Sequence, residues 1–401
     1  MKNFYKKGAV FAVIILFILI GFSTIIQGNI EINNNLSNSN DDFDKKITEL
    51  MDHGHFPGLA CAIIRNDTLL WSKGYRKAKI GIGPFFEKDV TNDTIFPMAS
   101  ISKSFAATAI MQLNETGRIS LDENISRFLP FDLKHPKYPD VNITARMLLS
   151  HQASIKNFGL PYSIFCQLIR RPLDWLENHF KKSDSWYDYC PGEYFRYITA
   201  DINILGYVIE NITGMKYADY CKENIFKPLK MNNSSFYLSD LNKEMLVRQY
   251  LWFFGFYLRV PFVKVSEIMF PGGGVRSSLN DMSHYLIMHA SGGTYDGVRI
   301  LNESSVKEMH IAQTPVLDEN YYYGLGWYFK NFSDGETYGG HSGNHPGAYA
   351  IMEMRYSDNV GILIFFNQHS YLLGIFNIRP QKEKDAIVGI KEALFEKADE
   401  F

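Results

Sequence analysis

Ile95-Phe96-Pro97-Met98-Ala99-Ser100-Ile101-Ser102-Lys103 sets a hydroxyl and an amine three residues apart, where an extended run gives way to a helical one. Phe105 to Leu113 carries apolar residues at helical spacing and is followed by Gly117, a helix-stopping residue. Ser100 is therefore expected at a helix N-terminus, where unpaired N–H groups and the positive end of the helix dipole favour developing negative charge. Residues three apart share a face, so the Lys103 amine falls beside the Ser100 hydroxyl. That arrangement lets a serine act as nucleophile without a histidine base.

Ser-x-x-Lys alone carries little weight, because ordinary residue frequencies give roughly one or two chance matches in a chain this long. Ser304-Ser305-Val306-Lys307 is such a match, explained by a serine N-cap opening a surface helix. The weight comes from ordered companions. These are Ile143-Thr144-Ala145-Arg146-Met147-Leu148-Leu149-Ser150-His151, then Pro191-Gly192-Glu193-Tyr194-Phe195-Arg196-Tyr197 with the apolar run 202–210. Pro271-Gly272-Gly273-Gly274-Val275-Arg276, Tyr323-Gly324-Leu325-Gly326-Trp327 and Gly340-His341-Ser342-Gly343-Asn344-His345-Pro346-Gly347 follow. On these motifs, residues 42–368 resemble the serine β-lactamase and penicillin-binding-protein superfamily, in its class C β-lactamase, D-aminopeptidase and family VIII esterase branch.

The resemblance implies a role for each matching residue. Ser100 is the nucleophile, and Lys103 with Tyr197 removes its proton, Tyr197 later returning a proton to the leaving group. His341 stands where relatives carry Lys or His in a Lys/His-x-Gly motif and shapes the site. The small Ser342-Gly343 pair lets that strand lie close to substrate, and the backbone N–H groups of Ser100 and Asn344 form the oxyanion hole. Relatives that hydrolyse β-lactams carry Tyr-x-Asn, whereas this chain reads Tyr197-Ile198-Thr199. A threonine hydroxyl is shorter than an asparagine amide and cannot bridge the lysine and a substrate carbonyl together, which weighs against cephalosporin turnover. The expected function is that of a serine hydrolase acting through an acyl-enzyme on a small ester, amide or D-amino-acid peptide. The alternative is a catalytically silent module that binds cell-envelope or acylated ligands.

The expected fold is α+β, β-lactamase/transpeptidase-like, with an antiparallel sheet flanked by helices and an all-helical lobe inserted at about residues 106–270. The catalytic domain is placed at 43–380 and a C-terminal helix at 381–401. Strands are expected at 58–65, 68–75, 323–329, 347–355 and 360–366, with a helix over 384–397. The motifs then meet in the cleft between the lobes. The aromatic stretch 250–263 is read as packing on the helical lobe, or else as roofing an apolar acyl pocket or dipping into a membrane.

A net charge of −2 with mixed signs gives no basic patch and excludes nucleic acid as a partner. His53 with His55, and His341 with His345, lack the helical spacing and carboxylate of a zinc site, and Gly272-Gly273-Gly274 lacks the Gly-Lys-Ser/Thr of a phosphate loop. No metal or cofactor is implied, and the oligomeric state is not readable. Lys2, Lys6 and Lys7 precede an apolar run that persists from Gly8 to Ile26 without a clean Ala-x-Ala site. Residues 1–27 are thus expected to be a membrane anchor, or an export signal if cleaved, with 28–42 a flexible stalk and the domain facing outward. In that compartment the four cysteines, Cys61, Cys166, Cys190 and Cys221, allow three complete pairings, and Cys61 reads as a buried small residue.

Overall fold

A computed structural model describes residues 25–26, 40–81, 87–157, 173–253, 255–260, 265–314, 321–331, 335–370 and 380–401. In chain order its elements are β1 (Ile25–Ile26), α1 (Asn40–Gly54), β2 (Gly58–Arg65), β3 (Thr68–Lys79), β4 (Lys88–Asp89), β5 (Ile95–Pro97) and α2 (Ser102–Glu115). Then come α3 (Ala145–Leu149), α4 (Leu173–Phe180), α5 (Thr199–Thr213), α6 (Tyr217–Cys221), β6 (Tyr250–Phe253), β7 (Phe256–Arg259), α7 (Phe270–Gly273), β8 (Arg276–Ser278) and α8 (Leu279–Ala290). The chain closes with β9 (Thr294–Tyr295), β10 (Val298–Arg299), α9 (Glu303–Met309), β11 (Tyr321–Tyr323), β12 (Tyr328–Asn331), β13 (Thr337–His345), β14 (Ala348–Arg355), β15 (Val360–Phe366) and α10 (Gln381–Asp399).

β2 and β15 are apolar at nearly every position because they lie at the centre of the sheet with both faces covered. Among the described residues the main sheet is antiparallel, in the order β11-β12-β13-β14-β15-β2-β3-β4. Strands from the two ends of the chain therefore meet at its middle, Phe366 opposite Leu59. Ala60, Ala62, Ile64, Leu363 and Phe365 face one core, while Leu59, Cys61, Ile63, Ile362 and Ile364 face the other with Ile47 and Met51 of α1 and Ile390 and Leu394 of α10. The first core continues into the helices. Phe105 of α2 stacks on Tyr285 of α8 at 4.1 Å, and α2 packs in turn on α5, α6 and α7. The α+β, β-lactamase/transpeptidase-like fold is thereby established.

Several local expectations are corrected. Residues 323–329 are not one strand: the Gly324 N–H donates to the Trp327 carbonyl at 2.8 Å, and Gly326 sits at φ +75°. The tight turn between β11 and β12 thus inserts toward α2, where a side chain at 326 would lie 2.9 Å from Ala107 Cβ. The described part of the aromatic stretch is a hairpin on the α/β lobe, not a cover on the helical one. Trp252 stacks on His55 at 4.4 Å, and the Tyr250 hydroxyl accepts from the Ile80 N–H at 2.7 Å. Ser304 does not cap a helix, since Asn302 holds that position and Lys307 pairs with Glu303 at 2.6 Å.

The membrane-anchored, outward-facing localisation is also overturned. Among the described residues no helix is long and apolar enough to cross a membrane. Ile25 and Ile26 lie in an extended pair with Leu258 and Tyr257, which a helix running through Ile26 could not form. The rest of the predicted anchor, residues 1–24 and 27, and stalk residues 28–39 lie outside the described residues. Cys61, Cys190 and Cys221 are free thiols, and Cys166 lies outside the described residues.

Candidate active site

β5 pairs with β8, and the Met98 N–H donates to the Val275 carbonyl at 2.9 Å, which fixes the approach to Ser100. Ala99 then takes φ +46°, a costly conformation for a residue with a Cβ, and turns the chain into a short 3₁₀ turn, Ala99–Ile101, that leads into α2. Ser100 is presented on this turn, two residues before Ser102, the first α-helical residue.

Lys103 is fully buried, with its Nζ 2.9 Å from Ser100 Oγ and 2.6 Å from the Gly272 carbonyl oxygen. Burial pushes its amine down to about 7, against a smaller opposing pull from Asp201. Near neutral pH the amine is therefore substantially uncharged, able to donate one N–H to Gly272 and to accept the Ser100 proton. The Gly272 carbonyl is itself held in place. Its own N–H donates to Asn203 Oδ1 at 3.0 Å, and a Cβ at Gly272 would lie 2.4 Å from the Thr199 methyl. Thr199 thus packs against the peptide that receives the lysine.

The Tyr197 ring lies 5.1 Å from Lys103 Nζ and 6.0 Å from the His341 ring, and is 39% exposed, enough to meet a substrate. His341 is buried. Its Nδ1–H donates to the Ser342 carbonyl at 2.8 Å, so Nε2 accepts the Tyr323 hydroxyl at 3.0 Å. Burial, aided by the nearby Lys103 charge, pushes the imidazole down to about 3. His341 is a neutral wall of the site.

β12 pairs only with residues 337–340 of β13, and residues 341–345 pair with β14 on the other side. The edge so released runs past the serine turn. A Cβ at Gly343 would stand 2.0 Å from the Met98 carbonyl oxygen, so only glycine allows this approach. It lays the end of β13 alongside the turn that carries Ser100. Ser342, on the opposite face from His341, opens on a cavity of about 470 Å³ lined also by Tyr321, Tyr349, Glu353, Lys384 and Lys391. Ser100, Lys103, Tyr197, Thr199, His341 and Gly343 are thus brought together, while Ser342 and Asn344 turn their side chains to the opposite, α10-covered face of the sheet.

Sequence reasoning missed the layer behind them. Asn157 Oδ1 accepts the N–H groups of Thr199 and Ala200 at 3.0 and 3.4 Å, capping α5 from a distant loop. His151 and Asp201 are buried together with Nδ1 and Oδ2 3.2 Å apart, and the Ile198 N–H donates to the same Nδ1 at 3.3 Å. That nitrogen is an acceptor, so the Asp201 carboxyl supplies the proton. Burial accordingly pushes Asp201 well above and His151 well below their ordinary values. His151 stood in a quoted motif without a role. Asp201 lies in the first turn of α5, four residues after Tyr197, and carried no sequence signal beyond its nearness to that motif.

The comparisons with known proteins follow the same line. A family model described as Beta-lactamase matches residues 43–372. "Protein flp" of Staphylococcus aureus (strain N315) is 24% identical over 353 residues, covering 83% of this chain and 64% of the relative, so the chain spans less than two thirds of that protein. An octameric penicillin-binding protein homologue from Pyrococcus abyssi superposes with a TM-score of 0.70 at 24% identity, covering 86% of this chain and 79% of that one. A D-amino acid amidase from Ochrobactrum anthropi SV3, complexed with L-phenylalanine amide, gives 0.69 at 20%, covering 89% and 99%. These two share the fold. With the family model spanning most of its length and the motif residues converging on one cleft, the chain belongs to the Beta-lactamase family.

Proposed function

We propose that this chain is a serine hydrolase that works through an acyl-enzyme on small amides and esters, D-amino-acid amides and peptides foremost. The observation that carries this reading is the contact of a buried lysine amine with Ser100 Oγ at 2.9 Å, the amine also lying 2.6 Å from the Gly272 carbonyl oxygen. In its neutral form Lys103 takes the Ser100 proton as Oγ forms a bond to the substrate carbonyl carbon. The N–H groups of Ser100 and Asn344 receive the oxyanion, a contribution on the order of a few kcal/mol. As the carbonyl–leaving-group bond breaks, Tyr197 gives its phenolic proton to the leaving nitrogen or oxygen and takes the Ser100 proton back from Lys103, and water then hydrolyses the ester at Ser100.

Thr199 supports amide or ester substrates over acylamino-bearing β-lactams, since its side chain packs on Gly272 and leaves no amide to hold an acylamino carbonyl. The amidase similarity supports D-amino-acid amides as the first class to try. The test treats the protein and its Ser100→Ala variant with a fluorophosphonate and with a penicillin, reads intact mass, and assays D-phenylalanine amide hydrolysis. Ser100-dependent phosphonylation with amide turnover is expected. No adduct on folded protein from either reagent would sink the proposal and favour a ligand-binding relative without turnover.

A further inference from the structure

The C-terminal helix reaches the site through a buried chain of polar groups that the reaction above does not use. His369 follows β15, and Glu383 lies in the first turn of α10. The two side chains are each 2% exposed, with His369 Nδ1 2.5 Å from Glu383 Oε1. On its other side His369 Nε2 is 2.8 Å from Asn344 Oδ1. A carboxylate and an amide oxygen only accept, so both ring nitrogens donate and His369 is an imidazolium facing a carboxylate. Although burial pushes Glu383 up, the hydrogen bond and charge of His369 hold it below the usual carboxylate range. Both Glu383 oxygens also accept the Ser370 N–H at 3.3 Å.

Burying an ion pair is costly, and α10 is already held to the sheet by Ala386, Ile390 and Leu394, so anchoring that helix does not require one. What the pair does hold is Asn344, an exposed residue at the end of β13 just before the Pro346-Gly347 turn, where the strand has lost β12 on its open edge. Tyr349, the register partner of Asn344, stacks on the His369 ring at 4.8 Å and fixes its plane.

We propose that Glu383 and His369 are positioning residues for the oxyanion hole, acting through the side chain of Asn344 to aim that residue's backbone N–H at the reacting carbonyl. The proposal rests on the hydrolase reading above. Glu383 orients the imidazolium, the imidazolium grips Oδ1, and the grip restrains the peptide carrying the N–H. Asn344→Ala keeps the N–H and loses the grip, while Glu383→Gln keeps the shape and loses the charge.

The test compares wild type, E383Q, N344A and the double variant by rate of Ser100 phosphonylation, by kcat and KM on a D-phenylalanine anilide, and by thermal midpoint. E383Q and N344A are each expected to lower the phosphonylation rate and kcat about tenfold, with KM within about twofold, and the double variant no further. A purely structural pair would lower the thermal midpoint of E383Q and leave N344A at wild-type rates, which overturns the proposal, as do losses that multiply in the double variant. Should E383Q not fold, N344A decides alone. No phosphonylation of folded wild type ends the hydrolase reading and this one together, whereas a labelled wild type with an indifferent N344A ends this one only.

Discussion

Lys103 does two things at once, and each gives a pH signature. Because burial brings its amine down to about 7, the base form is gained as pH rises through that value, so Ser100 acylation should climb along an acid limb centred near pH 7, read from phosphonylation rates. The same burial is a cost in stability while the amine is charged. Between about 7 and the ordinary value of 10.5 the unfolded chain binds more protons at this residue than the folded one, so stability from Lys103 rises with pH across that window. Lys103→Met should therefore exceed wild type in urea stability below pH 7, with the gap closing toward pH 10.5. Behind the lysine, Asp201 acts as a neutral acid toward His151. Asp201→Asn keeps a donor there and should leave the acid limb in place, whereas Asp201→Ala orphans a buried imidazole and should cost about 1–3 kcal/mol in a urea titration. A limb that moves in Asp201→Asn would show the carboxyl to be ionised instead.

Among the elements, β13 and the serine turn depend on each other. The strand supplies His341, Ser342, Gly343 and Asn344, but only because its pairing with β12 ends at Gly340 and frees its edge for Met98 and Ala99. Gly343→Ala forces a methyl group against the Met98 carbonyl, and a displacement on the order of 1 Å is expected to lower kcat about a hundredfold while the fold persists, as circular dichroism and labelling rates would check. The strands at 58–65 and 360–366 were readable to the residue because apolar runs flanked by turn signals leave little choice. The tyrosine-rich segment at 323–329 was not, since strand propensity does not record that Gly326 must admit Ala107 of α2. The hairpin at 250–259 misled similarly: aromatic density announced a buried surface without saying which lobe supplies it.

At the level of the whole molecule, the two cores share one sheet, and the terminal helices α1 and α10 close its outer face. Ile390, fully buried there, lies on the far side of the sheet from Lys103, so Ile390→Ala should cost about 2–5 kcal/mol in a urea titration and leave the activity of the folded fraction unchanged. The sequence by itself determined the family, the fold class and the gathering of Ser100, Lys103, Tyr197 and His341, because their spacing and order are properties of the chain. Only the tertiary structure decided that Lys103 is dry and held by Gly272, that His341 is neutral, that His151 and Asp201 share a proton, and that Glu383 reaches Asn344 through His369. Each of these depends on how much water is excluded and on partners between 14 and 169 residues away, and neither burial nor a distant partner is written in local sequence.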